Sequence, residues 1–198
     1  MRPPYARDMR SHPEIGWSVR VQAAAYLARS TMNIQFPSPQ SLPPDPRWMR
    51  RAIALATENA ASGRGGPFGA LVVRGSQLLA EAANSVTRTL DPTAHAEVNA
   101  IRAACRATGS FSLAGAVLYA SCEPCPMCLA AALWARVDAV YFGASSADAA
   151  RAGFDDEAFY RKLQGEPGQP PSHGEQLLRD EALSSFEAWI RASTKTPY

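Results

Sequence analysis

Four residues in two short stretches have the types and spacing to do chemistry. Asp91–Glu97 (Asp-Pro-Thr-Ala-His-Ala-Glu) supplies His95 and Glu97. Cys122–Cys128 (Cys-Glu-Pro-Cys-Pro-Met-Cys) supplies Cys125 and Cys128. One imidazole and two thiolates form a soft three-ligand set suited to Zn²⁺, with one ion expected per chain. Three protein ligands leave the fourth tetrahedral position open, as a catalytic zinc requires. Glu97 is then spare, and a carboxylate beside an open zinc position can move protons.

The competing reading is a structural zinc site, which needs a fourth protein ligand. Neither Cys105 nor Cys122 obviously supplies one, although Cys122, three residues before Cys125, is the better placed. Of the remaining candidates, Cys105 reads as a core residue on a helix face. His12 and His173 read as solvated loop residues. Gly65–Gly69 (Gly-Gly-Pro-Phe-Gly) is a helix stop and turn, and its Phe68 is equally suited to wall a flat ring. Asn84 is either a turn residue or a hydrogen-bonding group for a base edge. Asp155 and Asp156 are either solvated charges or the source of a second carboxylate.

These groups have to be positioned by regular elements. Asp45 is a good N-cap and Pro46 a good first helical residue. Trp48, Met49, Ile53, Ala56 and Ala60 follow at helical spacing, and Ser62–Pro67 ends that helix. Phe68–Arg74, a Gly75-Ser76 turn and Gln77–Ala83 read as a β-hairpin. With Thr93 as N-cap, a helix is predicted from Ala94 to about Ala107, buried through Val98, Ile101 and Ala104. A strand at Ala116–Ala120 leads to a helix over Pro126–Ala135, and Ala139–Gly143 is the next strand. Cys125 and Cys128 thus sit in the first turn of a helix, whose positive end favours thiolates. His95 and Glu97 are two apart, and such residues do not share a face of a regular helix. They can converge only in an irregular first turn.

Beyond Ala144 the pattern weakens. Asp148–Ala152 is read as a helical turn, Phe154–Leu163 as a short helix and Gln164–Gly174 as a loop. Gln176–Arg179 is read as a poor strand. Ser184-x-x-Glu187 matches a capping box, predicting a last helix from Ser185 to about Ala192. A hairpin followed by strand–helix–strand–helix–strand order implies a mixed sheet covered by helices on both faces, an α/β layered domain.

The chain has 198 residues and 46% hydrophobic content, enough for one domain with a full core plus an appendage. Residues 1–44 are rich in Arg and Pro and read as a disordered extension, or as the product of a start upstream of Met32. The core is expected over 45–163 and a C-terminal loop and helix over 164–198. No apolar run reaches 18 residues, so no membrane partner is expected. Metal-ligating thiols must stay reduced, which points to the cytoplasm. Of 20 Lys and Arg, eight lie in residues 1–51 against three acidic groups. The rest carries 12 basic and 15 acidic residues, a net of −3. Such a body is a poor partner for a polyanion and argues against a nucleic-acid substrate.

His-x-Glu followed by Pro-Cys-x-x-Cys is the signature of zinc nucleobase deaminases. Here the chain resembles the cytidine/deoxycytidylate deaminase superfamily and, within it, the small zinc-dependent bacterial guanine deaminases. The likeness covers about residues 46–163 and 183–198. The motifs that carry it are Gly65–Ala70, Asn84, Asp91–Glu97, Ser121–Cys128, Trp134–Arg136, Ala152–Asp156 with Tyr160, and the tail Leu183–Trp189 with Tyr198. The resemblance implies a three-layer, cytidine deaminase-like fold with a five-stranded mixed sheet. It implies zinc on His95, Cys125 and Cys128, with Glu97 as proton shuttle. It places Asn84, Phe68, Ala96, Asp156 and Tyr198 around the substrate, with Asp156 also assisting proton transfer. It implies hydrolysis of free guanine to xanthine and ammonia by a domain-swapped homodimer, in which Tyr198 reaches the partner's pocket. Pro170, Pro171 and Gly174 depart from the apolar strand expected in that region. The rival readings are a tRNA-specific adenosine deaminase, a deaminase of free cytosine or cytidine, and a non-enzymatic zinc-stabilised module.

Overall fold

The computed structural model describes residues 43–154, 156–164, 176–194 and 196. The readings of residues 1–42, most of the 164–174 loop, His12, His173, Asp155 and Tyr198 lie outside them.

The first helix, α1, runs over Pro46–Ala61, and the Asp45 carboxylate caps it by accepting from the Arg47 N–H at 2.9 Å. Strands β1 (Gly69–Arg74) and β2 (Gln77–Ala83) form the antiparallel hairpin, with Gly75 at φ +59 in its turn. A short helix, α2 (Val86–Thr89), follows and was not foreseen. Helix α3 spans Ala96–Thr108, strand β3 Ala116–Cys122, helix α4 Pro126–Trp134 and strand β4 Ala139–Ala144. Three further helices complete the order: α5 (Ser146–Arg151), α6 (Asp156–Gln164) and α7 (Arg179–Arg191).

The sheet order is β2-β1-β3-β4, with the first two pairings antiparallel and β3–β4 parallel, so the sheet is mixed as expected. Strand alternation divides the core. Ala70, Val72, Ala116 and Leu118 face α3 and α4, packing on Ala96, Ala100, Ala104 and Ala132. Leu71, Val73, Val117 and Tyr119 face the opposite way, onto Trp48, Met49 and Ala52 of α1. Small residues let helix and sheet approach closely. At Gly69 a Cβ would lie 2.7 Å from the Ala56 nitrogen, so α1 requires glycine there.

Three expectations need correction. The described residues hold four strands rather than five: Gln176–Arg179 is not extended, since Leu178 is left-handed at φ 51 and Arg179 already opens α7. Asp180 and Glu181 in the first turn favour that earlier start through the helix dipole. Ser184 therefore lies inside α7, its hydroxyl donating to the Glu181 carbonyl at 2.7 Å, and caps nothing. Thr93 is likewise not the N-cap of α3. Its hydroxyl donates to Asp91 Oδ1 at 2.7 Å, and His95 occupies the cap position.

Candidate metal centre

His95 sits at the N-cap of α3 in extended conformation, φ −67 and ψ 156. The chain reaches it through a tight turn that Asp91 organises. Asp91 Oδ1 accepts from the Thr93 N–H at 2.8 Å as well as from its hydroxyl, and the His95 N–H donates to the Thr93 carbonyl at 2.8 Å. Because His95 precedes the regular helix, it and Glu97 escape helical spacing and share one locality. The helix is regular from Ala96, so it is His95's place outside it, rather than an irregular first turn, that brings the two residues together. Cys125 is the N-cap of α4, also extended at φ −63 and ψ 167, and Cys128 lies one turn on. Neither cap residue spends its side chain on its own helix.

The ligand atoms of His95, Cys125 and Cys128 all lie within 4.8 Å of one another, and they form the one such group among the described residues. Cys125 Sγ is 3.6 Å and Cys128 Sγ 3.5 Å from His95 Nδ1. Zinc bonds of about 2.3 Å to sulfur and 2.0–2.1 Å to nitrogen at a tetrahedral angle give an S···N edge of about 3.6 Å. The donor set therefore fits zinc in both chemistry and spacing. Cys122 does not join it, and its thiol lies 3.6 Å from the Ser145 carbonyl. Cys105 is 3.8 Å from the Phe111 carbonyl. A fourth cysteine ligand is thus absent among the described residues.

The electrostatics match. Glu97 is buried, and that burial pushes its carboxyl up to about 7. Proximity to Cys125 adds to the rise; the Glu97 backbone N–H, His95 and Cys128 oppose it. The Cys125 thiol is drawn down to about 4, first by the hydrogen bond with Cys128 and next by His95, against its burial. Cys128 is pushed up by the same Cys125 contact and by burial. The two sulfurs therefore oppose one another as neighbouring thiolates. A divalent cation between them satisfies both as thiolates.

Phe68 and Asn84 meet at the base of the hairpin. The Asn84 N–H donates to the Phe68 carbonyl at 3.0 Å. A Cβ on Gly66 would meet the Phe68 ring at 3.3 Å and Asn84 Cγ at 3.7 Å, so both side chains converge over that glycine. Asn84 is buried, and its Oδ1 accepts from the Val86 N–H at 3.2 Å, which starts α2. Phe68 meets Phe154 edge-on, with ring centroids 4.7 Å apart. Phe68 and Phe154 line a cleft of about 410 Å³ with Ser121, Cys122 and Ala149. Asn84 lines a second cleft, of about 350 Å³, with Asn59, Arg64 and Arg88. Neither cleft is lined by the metal ligands, so the ligand geometry, not cleft size, locates the chemistry. Ala96 is fully buried in the core, where only its backbone is polar. Asp156 is the first residue of α6. That helix is tied to the cysteine loop because the Tyr160 hydroxyl donates to the Pro124 carbonyl at 2.6 Å.

The sequence reading missed Asp91 as organiser of the His95 turn, Tyr160 as a tie, and two asparagines, Asn59 and Asn99. An Asn inside a helix is a weak signal of a side-chain role, because its intrinsic preference lies elsewhere.

Comparison with known proteins bears on this geometry. The profile of the cytidine and deoxycytidylate deaminase zinc-binding region matches residues 43–144. The chain belongs to that zinc-binding deaminase family. It is 46% identical over 151 residues to a guanine deaminase of Bacillus subtilis, covering 76% of this chain and 97% of the relative. It is similar to a crystal structure of guanine deaminase from Bacillus subtilis, with TM-score 0.73, 44% identity and coverage of 78% of this chain and 99% of that one. A tRNA-specific adenosine deaminase of Agrobacterium fabrum is 45% identical over 78 residues, which cover 39% of this chain and 51% of that protein. His95, Cys125 and Cys128 form the metal site of this deaminase domain, with one Zn²⁺ expected there. Among the described residues no helix is long and apolar enough to cross a membrane.

Proposed function

We propose that the protein is a zinc-dependent aminohydrolase that converts free guanine and water to xanthine and ammonia. The observation that carries this reading is the extent of the likeness. It runs over 151 residues and nearly all of a guanine deaminase, well past the zinc-binding region at 43–144. The tRNA-specific relative is matched over about half its length.

Bound zinc supplies Lewis acidity that makes water a competent nucleophile at neutral pH. The protein's own residues do the rest. His95, Cys125 and Cys128 hold the ion. Glu97, buried and beside the ligands, accepts one proton from the attacking water and passes it to the ring nitrogen, then carries that water's second proton to the departing amine. Asn84 recognises the purine edge: with Oδ1 engaged by Val86, its amide N–H groups are what it offers to an acceptor. Phe68 walls the base, braced by Phe154. The backbone N–H of Ala96 lies in the first turn of α3, where helix donors have no partner within the helix, and is assigned to the substrate. Asp156 assists proton transfer from the start of α6.

We place the working enzyme in the cytoplasm as a homodimer with a core over 45–163. Residues 164–198 of one subunit close the other's pocket, with Tyr198 contributed in trans. Exposed apolar residues on α7, among them Phe186, Trp189 and Ile190, support this arrangement.

Ammonia release from zinc-loaded protein tests the reading, with guanine, guanosine, adenine, cytosine and a tRNA anticodon stem-loop assayed in parallel. Turnover of guanine alone is expected. Turnover of the RNA alone would replace this reading with tRNA editing.

A further inference from the structure

Two asparagines that carry no chemistry of their own meet at the turn bearing Asn84. Asn99, on α3, directs its Nδ2 at three acceptors: the Ala83 carbonyl at 3.1 Å, Ser85 Oγ at 3.1 Å and the Ala94 carbonyl at 3.2 Å. Two N–H bonds thus serve three oxygens, one of them shared. The first two acceptors flank Asn84, and the third precedes His95. The Asn99 backbone N–H also donates to the His95 carbonyl at 2.9 Å, and the Ser85 N–H to the Ala94 carbonyl at 3.0 Å. The Asn84 turn and the His95 turn are therefore stitched together through one side chain and one backbone bond.

Asn59 grips the same turn from α1, on the other side of the sheet. It is buried, and its Nδ2 donates to the Asn84 carbonyl at 2.8 Å and the Gly66 carbonyl at 2.9 Å. Gly65 makes room for that grip. A Cβ there would strike the Asn84 carbonyl oxygen and lie 2.8 Å from Asn59 Nδ2. Among the described residues, the one hydrogen bond of the Asn84 side chain is local, to Val86, so the turn is held in place by other groups.

We infer that Asn59 and Asn99 are positioning residues for purine recognition, clamping the Ala83–Ser85 turn from α1 and α3 so that Asn84 stands at a fixed offset from His95. This rests on the reading of Asn84 as the purine-edge contact. Substrate contacts must be held to about half an ångström, so a turn fixed from two helices suits that task. None of the clamp's side-chain hydrogen bonds goes to His95, Cys125 or Cys128 side chains, so its loss should leave the metal in place.

The test is a double-mutant cycle on the zinc-loaded, full-length protein. Asn99→Ala is expected to raise KM for guanine about tenfold, with a smaller change in kcat and zinc still at one per chain. Asn84→Ala combined with Asn99→Ala is expected to lose no more than Asn84→Ala alone, because Asn99 acts through Asn84. Asn99→Gln, which keeps the donor, should recover part of the loss. Amide hydrogen exchange at Ser85 should speed up at least tenfold in Asn99→Ala, and xanthine affinity by calorimetry should fall in step with KM. If Asn99→Ala does not fold, Asn59→Ala carries the same cycle from α1. A KM within twofold of the parent, unchanged exchange at Ser85, or losses that multiply independently in the double mutant would each overturn the clamp. If the parent protein fails to turn over guanine, the substrate reading falls, while the exchange measurement still decides the clamp.

Discussion

At the scale of single residues the site divides labour by environment. His95 and Cys125 escape helical geometry by standing at N-caps, which points their side chains at the metal position instead of at their own backbones. Glu97 is one residue inside, buried, and left without a metal bond to make. A carboxylate in that situation takes up a proton readily, which suits a base that must also give the proton back. Glu97→Gln preserves size and hydrogen bonding but removes this capacity. It is expected to keep one zinc per chain by metal analysis while kcat falls by about 10²-fold or more. Near-parental turnover in the zinc-loaded variant would remove Glu97 from the proton pathway. Leu90 illustrates a residue under a different constraint. It is 90% exposed and left-handed at φ 52, closing α2 where glycine or asparagine is the usual choice. Leu90→Gly relieves that conformation and forfeits no burial, so unfolding should require about 0.5–1 kcal/mol more in a denaturant titration.

At the scale of elements, what was legible in the sequence tracks how local each cause is. Asp45-Pro46 announces α1, and alternation with a Gly75 turn announces the β1–β2 hairpin, because caps and turns are decided within a few residues. Helix α2 was not legible. It begins where Asn84 Oδ1 accepts from Val86 and ends at a left-handed leucine, and the two asparagines that fix the turn before it come from α1 and α3. The capping box at Ser184 misled for the complementary reason, since the acidic pair Asp180–Glu181 starts α7 a turn and more earlier. Elements are also joined by charge. Arg51 of α1 grips Glu81 of β2 through two hydrogen bonds, at 2.8 and 2.5 Å, which holds the Glu81 carboxyl below its ordinary range. A depressed carboxyl stabilises the fold fully above its unfolded value of about 4.3, and the gain is lost as pH falls through the lower folded value. Arg51→Gln should therefore lower stability at pH 7 by less than about 1 kcal/mol, given the partial exposure of the pair. The difference from the parent should shrink steadily below about pH 4. A deficit that grows on acidification would mean that Arg51 acts through something other than Glu81.

At the scale of the whole molecule, the inner and outer parts of the chain are built to different rules. The sheet and the three helices packed on it share two clusters of buried apolar residues, although Ile53, Trp134 and Phe142 on these elements are exposed. Helix α7 contributes to neither cluster: Phe186 is 65% and Ile190 69% exposed, with Trp189 and Leu183 on the same helix also open. An amphipathic helix gains most of its stability from covering its apolar face, and contiguous exposed apolar surface on a small domain marks an interaction site. Within the proposed dimer that cover comes from the second copy, which would also account for Tyr198 acting on the partner's pocket. Phe186→Glu with Ile190→Glu is then expected to shift the protein from dimer to monomer in light scattering and to reduce guanine turnover, while zinc remains bound to the unaltered ligands. Removing Lys195–Tyr198 should reduce turnover as well but leave the dimer intact, because it deletes the lid residue and not the apolar face. The two variants thus separate assembly from closure. A dimer that survives both charges on α7 would locate the subunit contact elsewhere, and full activity in the truncated protein would show that the pocket closes without Tyr198.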